Sequence, residues 1–412
     1  MGVLARSVAM RIPITFGFNQ VISHGFGIFL FAALVPTMQS TLDINSWHLA
    51  LAGALTQVSY LVGAMLLGVI GPRLDSAHLL LITGTLTTSL LFTMAWLDNT
   101  IIMIFVLTIM AASAAMSWGS IVELVTRYGR ADRTATNLSI ASSGTAWGYS
   151  VNGLIILLIV PLLGWRSGWV AASIFGLVTL LATFSLLKSV RSKAQDQEID
   201  VTFAMGTRQL FKTVFSERTA FLACLILLLV GASTMTFTTW LNTYLAELSL
   251  PPALGGYTWG IIGLTGMIAG FFVGKLADKK GHGVALLSIF GVFALGLLVF
   301  TYRPAQFVMI AGFGYGMMYF PIWGVIAGWV SKQYSSKATM QINGIGMVAF
   351  GLGGALGNVL AGIVYDATGS LSNVYLLICG LSVVLFVVAI YIFLHDRQSN
   401  KPHADSFLQS EI

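Results

Sequence analysis

The sequence predicts an all-α integral membrane protein, with twelve transmembrane helices in two pseudo-symmetric six-helix bundles. Three observations predict it. The 412 residues are 57% hydrophobic and only 9% charged, where soluble domains carry about 25% charge. Twelve stretches reach the length of about 20 apolar residues that crosses a hydrocarbon core. Two short patterns recur in the second half of the chain at nearly one spacing. Lipid offers no partner for an open backbone, so each stretch reads as a helix. Runs such as LLLITGTLTTSLLFTMAWL do not alternate as the strands of a membrane barrel would.

Span 1 covers 13–37 and follows Arg6 and Arg11. No small-residue cleavage site closes it, so it reads as a retained helix and not as a secretory signal. Span 2, 47–70, ends at Gly71-Pro-Arg73-Leu-Asp75. Span 3 is 77–97. Span 4, 101–122, carries Trp118-Gly119 and leaves Glu123 at its inner end. The turn Arg127-Tyr-Gly-Arg-Ala-Asp-Arg133 leads into span 5, 135–162, and span 6 is 169–188. A polar segment from Lys188 to Arg218 separates six spans from six. An amphipathic stretch at 203–215 within it is suited to lying on the membrane surface. Spans 7 to 12 are 219–245, 252–274, 283–301, 305–330, 339–364 and 372–394. The expected division is a first bundle at 1–190, a cytoplasmic linker at 191–217, a second bundle at 218–394 and a polar cytoplasmic tail at 395–412.

Charge placement fixes the expected orientation. With both termini inside, 19 of the 21 Lys and Arg residues fall in cytoplasmic segments, and only Arg166 and Arg303 fall outside. That is the positive-inside pattern. The formal net charge of +6 is then a topology signal and calls for no nucleic-acid partner. Short loops and a brief N-terminus point to a bacterial plasma membrane, the inner membrane. Cys224 and Cys379 sit in apolar runs and form no disulfide framework or zinc spacing.

The halves repeat. Gly71-x-x-x-Asp75 after span 2 has the form of Gly274-x-x-x-Asp278 after span 8, 203 residues later. Trp118-Gly119 in span 4 matches Trp323-Gly324 in span 10, 205 residues later, and a base follows nine residues after each Trp, at Arg127 and Lys332. Repeated halves related by an axis along the membrane normal are one way transporters build a central cavity.

The stretch Gly274-Lys-Leu-Ala-Asp278-Lys279-Lys280-Gly281-His282-Gly283 resembles the signature loop of the major facilitator superfamily, G-x-x-x-D-R/K-x-G-R/K-R/K. The first copy is degraded, with Ser76 where a base is usual. Smaller cues look like the monocarboxylate and oxalate–formate branches: His24-Gly-Phe-Gly27, the basic turn before span 5, Gly164-Trp165-Arg166, and Gly362-Ile-Val-Tyr365-Asp366-Ala-Thr-Gly369-Ser370. Two departures stand beside them. Spans 8 and 11 hold no Lys or Arg, where those branches commonly hold substrate with a base. Span 4 has no Arg and span 5 no Gly-Pro, unlike drug exporters. The resemblance implies the major facilitator fold. It also implies a gate braced by Asp278, Lys279 and Asp75, with Gly71, Arg73, Gly274 and Gly281 shaping the gating loops.

Ionisable residues inside spans are rare and informative. His24, near the middle of span 1, is suited to proton exchange or to donating to a solute; the competing account is a hydrogen-bonded core histidine. Glu123 is a second proton-coupling candidate, against an ordinary i,i+4 pair with Arg127. Asp366 reads as a cap or loop residue. The substrate-cavity set is Gln20, His24, Gln57, Tyr60, Trp147, Asn152, Thr239, Asn242, Trp259, Tyr315, Tyr319, Trp323 and Asn343, with Ser117, Tyr257 and Gln341 beside them. Gln20 and His24 share a helix face, as do Tyr315, Tyr319 and Trp323. Aromatic stripes are more often packing than site.

There is no H-E-x-x-H, no Walker loop and no Cys pair. An enzyme is not expected, nor a cofactor or metal site. The expectation is secondary active transport of a small organic solute, a monocarboxylate among the options, by alternating access with proton or solute coupling in a monomer. The alternatives are a carrier of a neutral or drug-like molecule and a non-transporting sensor.

Overall fold

The computed structural model describes residues 3–39, 41–194, 204–251 and 253–399. The end of the expected tail, 400–412, and residues 195–203 of the expected linker lie outside the described residues. Among the described residues, twelve helices are long and apolar enough to cross a membrane: Arg11–Met38, Trp47–Val69, Ser76–Met94, Thr100–Tyr128, Ala131–Leu163, Trp165–Val190, Arg218–Glu247, Ala253–Lys280, His282–Tyr302, Pro304–Val330, Ser336–Thr368 and Leu371–His395. They are spans 1 to 12.

Several helices run past the apolar stretch that announced them. Span 4 continues through Glu123 to Tyr128, so Glu123 is not at its inner end but a turn and a half inside. Span 8 continues to Lys280, so Gly274, Asp278 and Lys279 belong to its last two turns and not to a loop. Span 11 continues to Thr368, which makes Asp366 a residue of the final turn. A charge ends an apolar run without ending a helix. The helix stops where the backbone must turn, at Gly281 (φ 98°) and Gly369 (φ 64°), conformations suited to glycine.

The same packing recurs in both halves. Span 1 packs on 5, span 2 on 4, span 3 on 4 and on 6; span 7 packs on 11, span 8 on 10, span 9 on 10 and on 12. The two bundles meet along spans 5 with 8 and 10, and spans 2 and 4 with 11. A linker helix, Thr207–Ser216, buries Leu210 and Val214 against spans 7 and 11, and leaves Phe211 and Phe215 exposed.

Two spans carry a wide π turn. In span 5 it covers Ile155–Ile159, just before Pro161, whose missing N–H and bulky ring disturb the preceding turn. In span 1 it covers Val21–Phe26 and contains His24. There Gly25 meets Gly148 of span 5: a Cβ on Gly148 would lie 2.5 Å from the Gly25 Cα. Asn152 Nδ2 donates to the Gly25 carbonyl at 2.8 Å and fixes this crossing. Gly148→Ala should therefore cost about 2 kcal/mol by overpacking, read as a lower thermal midpoint of the purified protein. An unchanged midpoint would show that the crossing yields freely.

Candidate functional site

Two adjacent chambers lie between the bundles near mid-span. The first, about 200 Å³, is lined by Gln20, His24, Gln57, Tyr60, Tyr319 and Trp323 of the expected set, together with Trp118, Ser142, Thr145, Phe29, Phe320 and Phe350. The second, about 420 Å³, is lined by Trp259, Tyr315, Tyr319, Tyr149, Ser150 and neighbouring apolar residues. Phe29, Met235, Tyr319 and Phe320 border both. The size and apolar walls with a few polar groups suit a small organic ligand.

Span 10 presents Tyr315, Tyr319 and Trp323 as one stripe. The rings of Tyr315 and Tyr319 stack at 5.0 Å, and Trp323 meets Phe350 edge-on at 5.0 Å. His24 has Ser23 Oγ 3.1 Å from Nδ1 and Tyr60 Oη 3.3 Å from Nε2. Gln20 Oε1 accepts from Thr145 Oγ1 at 3.5 Å.

Five expected cavity residues lie elsewhere. Trp147, 44% exposed, lines a separate apolar groove with Pro13, Phe18 and Phe271. Asn152 is buried against span 1, bonded to Gly25. Thr239 is exposed, its hydroxyl turned back to the Met235 carbonyl. Asn242 is exposed and faces Gly255. Asn343 is buried, with Nδ2 3.9 Å from Met347 Sδ. Of the companions, Tyr257 is exposed and Ser117 is buried outside both chambers. Trp118 was missed as a lining residue. Its signal was in the repeat, since its mate Trp323 lines the same chamber.

Hydrogen bonds between the bundles, among the described residues, run from mid-span to the end where the Lys- and Arg-rich turns lie, called here the basic end. Asp278 of span 8 accepts from Ala135 N at 3.1 Å, Thr136 N at 2.7 Å and Thr136 Oγ1 at 2.6 Å. It caps the N-terminal turn of span 5, where free N–H groups and the helix dipole favour an anion. Gly274 permits this approach: a Cβ there would lie 2.6 Å from the Thr136 Cα. Nearer mid-span, Ser142 Oγ donates to the Phe320 carbonyl at 2.9 Å.

The repeat-related side is built differently. Asp75 caps its own span 3 at Ala77 N, 3.1 Å, and pairs with His78 at 2.9 Å. Arg73 and Lys279 are exposed. The crossing contacts here include Lys337 Nζ donating to the Leu74 carbonyl at 2.7 Å, and the Ser336 hydroxyl donating to Glu123 at 3.4 Å. Glu123, 0% exposed, also meets Arg127 at 3.6 Å. The i,i+4 pair is real, and Glu123 touches the other bundle as well. Gln341 donates to the Gly68 carbonyl across the bundles at 3.2 Å. It also holds Met205 of the linker, accepting from its N–H and donating to its carbonyl, both at 2.8 Å. Tyr334, in the turn before span 11, donates to Glu217 at 2.6 Å; burial and that bond push its phenol above the ordinary range.

At the opposite end, Gly53, Gly153, Gly256, Gly260 and Gly362 have no neighbour within 4 Å of a built Cβ. Arg166 there ties the first turn of span 6 to Asp98 and the Ala95 carbonyl within the first bundle. Among the described residues, hydrogen bonds fasten the bundles at one end and none joins them at the other.

Twelve candidate spanning helices in two like-built halves, clasped at one end around a central cavity, define a multi-pass membrane protein. The chain matches the Major Facilitator Superfamily over residues 18–340 and belongs to that family. It is 25% identical over 271 residues to the nitrite extrusion protein of Bacillus subtilis (strain 168), covering 64% of each chain. It is 24% identical over 294 residues to the hexuronate transporter of the same organism, covering 63% of this chain and 65% of that one. The matched region thus spans under two thirds of either relative. Among solved structures it is similar to the transporter FucP in the outward conformation, with TM-score 0.70 and 13% identity over 92% of this chain and 97% of that one. It is also similar to the proton:xylose symporter XylE, with TM-score 0.71 and 11% identity over 94% and 96%. These likenesses show the fold.

Proposed function

We propose that the chain is a secondary active transporter that carries a small organic solute by alternating access. The observation that supports this most is the one-sided fastening around a mid-span cavity. Two bundles, 1–190 and 218–394, would rock about it, exchanging contacts at the basic end for contacts at the far end. By the positive-inside rule the basic end faces the cytoplasm of a bacterial inner membrane, with both termini on that side. The conformer described is then open outward. A monocarboxylate is one solute this reading admits, and a monomer is sufficient, since the cavity lies within one chain.

The test is uptake into proteoliposomes, paired with accessibility of cysteines placed at each end. Solute should move accessibility from one end to the other. Uptake without such exchange, or turnover chemistry without uptake, would overturn the proposal.

Coupling is assigned to a proton held at His24, which meets the cavity beside Ser23 and Tyr60. His24→Ala is then expected to lose the stimulation given by an imposed pH gradient, while downhill exchange persists within about tenfold. Full stimulation in the variant dismisses His24 and leaves Glu123 as the next site to test.

A further inference from the structure

Two residues that line the first chamber each carry a buried N–H donor with nothing to bond among the described residues. Gln20 Nε2 and Trp118 Nε1 have no hydrogen-bond partner among the described residues, and each residue is only 2% exposed. Gln20 comes from span 1 and Trp118 from span 4, so the first bundle supplies both. Across the chamber the second bundle supplies ring faces, from Tyr319 and Trp323 on span 10 and Phe350 on span 11. Neither chamber is lined by an Asp, Glu, Lys or Arg among the described residues. His24 has a neighbour at each ring nitrogen, so it offers no free donor of its own.

These facts constrain the ligand. A buried donor left unpaired costs on the order of tenfold in affinity, so an occupant should present acceptor oxygens to Gln20 and Trp118. An ionised carboxylate or inorganic anion would enter a water-poor site with no Lys or Arg, and would find a countercharge only while His24 holds its proton, which disfavours it. A wholly apolar molecule would fit the rings but leave both donors empty. A ring with an apolar face and hydroxyls at its rim satisfies both walls together.

We infer that the cavity carries an uncharged, hydroxyl-bearing ring solute, bonded by Gln20 and Trp118 and stacked on Tyr319 and Trp323. This rests on the transporter proposal and narrows its substrate. Such a solute touches both bundles, with donors in one and stacking faces in the other. Closure around it is therefore favoured only when both halves are engaged. The repeat-related tryptophans take different parts. Trp118 presents its N–H, and Trp323 belongs to the aromatic wall.

The experiment uses the full-length protein, purified for binding and reconstituted for uptake. The probes are neutral hexoses and cyclic polyols, the hexuronates of the same rings, short monocarboxylates and nitrite. Binding is read by intrinsic tryptophan fluorescence and by thermal shift. At least one neutral ring should bind and be taken up, at least tenfold better than its hexuronate at pH 7. Trp118→Phe and Gln20→Leu should each weaken it about tenfold. Two positions are tested so that a poorly folding variant, recognised by its melting curve, leaves the other to decide. The inference is overturned if a hexuronate, a monocarboxylate or nitrite binds as well as the neutral ring. It is equally overturned if no neutral ring binds, or if both variants bind it unchanged. Binding without uptake would instead sink the transport proposal while sparing the assignment of the ligand.

Discussion

Asp278→Ala should unfasten the basic end. The carboxylate receives two backbone N–H groups and a hydroxyl from the first turn of span 5. Bonds to a charged acceptor contribute about 1.5–3 kcal/mol each, and three from one group do not add fully. A net loss of about 3 kcal/mol is expected, roughly a 100-fold shift of the conformational equilibrium away from the state closed at that end. The readout is maleimide labelling of Ser139→Cys, which is buried at the crossing with span 10. Native Cys224 and Cys379 are buried and contribute little background. Labelling from the basic side should rise steeply, and gradient-driven uptake should fall by tenfold or more. Asp278→Asn keeps one acceptor oxygen and should fall between. Wild-type labelling in the alanine variant would show that the cap does not hold the gate.

Glu123→Ala should destabilise the fold as a whole. The carboxylate is fully buried beside Arg127 and accepts from Ser336 of the other bundle. Removing one member of a buried pair leaves the other charge poorly solvated, a loss of about 3 kcal/mol toward the lower end for such pairs because Arg127 is partly exposed. The melting midpoint should drop by several degrees. Adding Arg127→Ala should recover part of that drop, which a mere cavity at position 123 would not allow. Glu123→Gln keeps the acceptor for Ser336 without the charge. It should melt between wild type and the alanine variant. No recovery in the double variant would remove the charge pair from the account.

The two sides of the gate differ in a way the repeat did not foretell. Both copies of the Gly-x-x-x-Asp pattern were visible. Yet Asp278 crosses to the opposite bundle, and Asp75 caps the helix that follows it. Ser76 opens span 3 immediately after Asp75, so that carboxylate has a helix N-terminus next to it in sequence. Asp278 lies inside span 8, where its own backbone is already bonded, and the nearest free N–H groups belong to span 5. Glu123 read as the end of a helix because the apolar run stopped there. It proved to be a buried contact between bundles.

The sequence by itself determined the twelve spans, the two-fold repetition and the expected facing of the basic end. A bilayer enforces these through length, backbone satisfaction and the placement of Lys and Arg, all local quantities. Which polar side chains meet the cavity was decided only by the tertiary structure. Trp147 and Trp118 look alike in sequence, yet one lines a peripheral groove and the other the central chamber. In water a helix announces its inner face by polarity. In lipid the outward face and the packed face are both apolar, so the rotation of each helix is set by close packing such as that of Gly25 on Gly148, and the cavity is what that packing leaves unfilled.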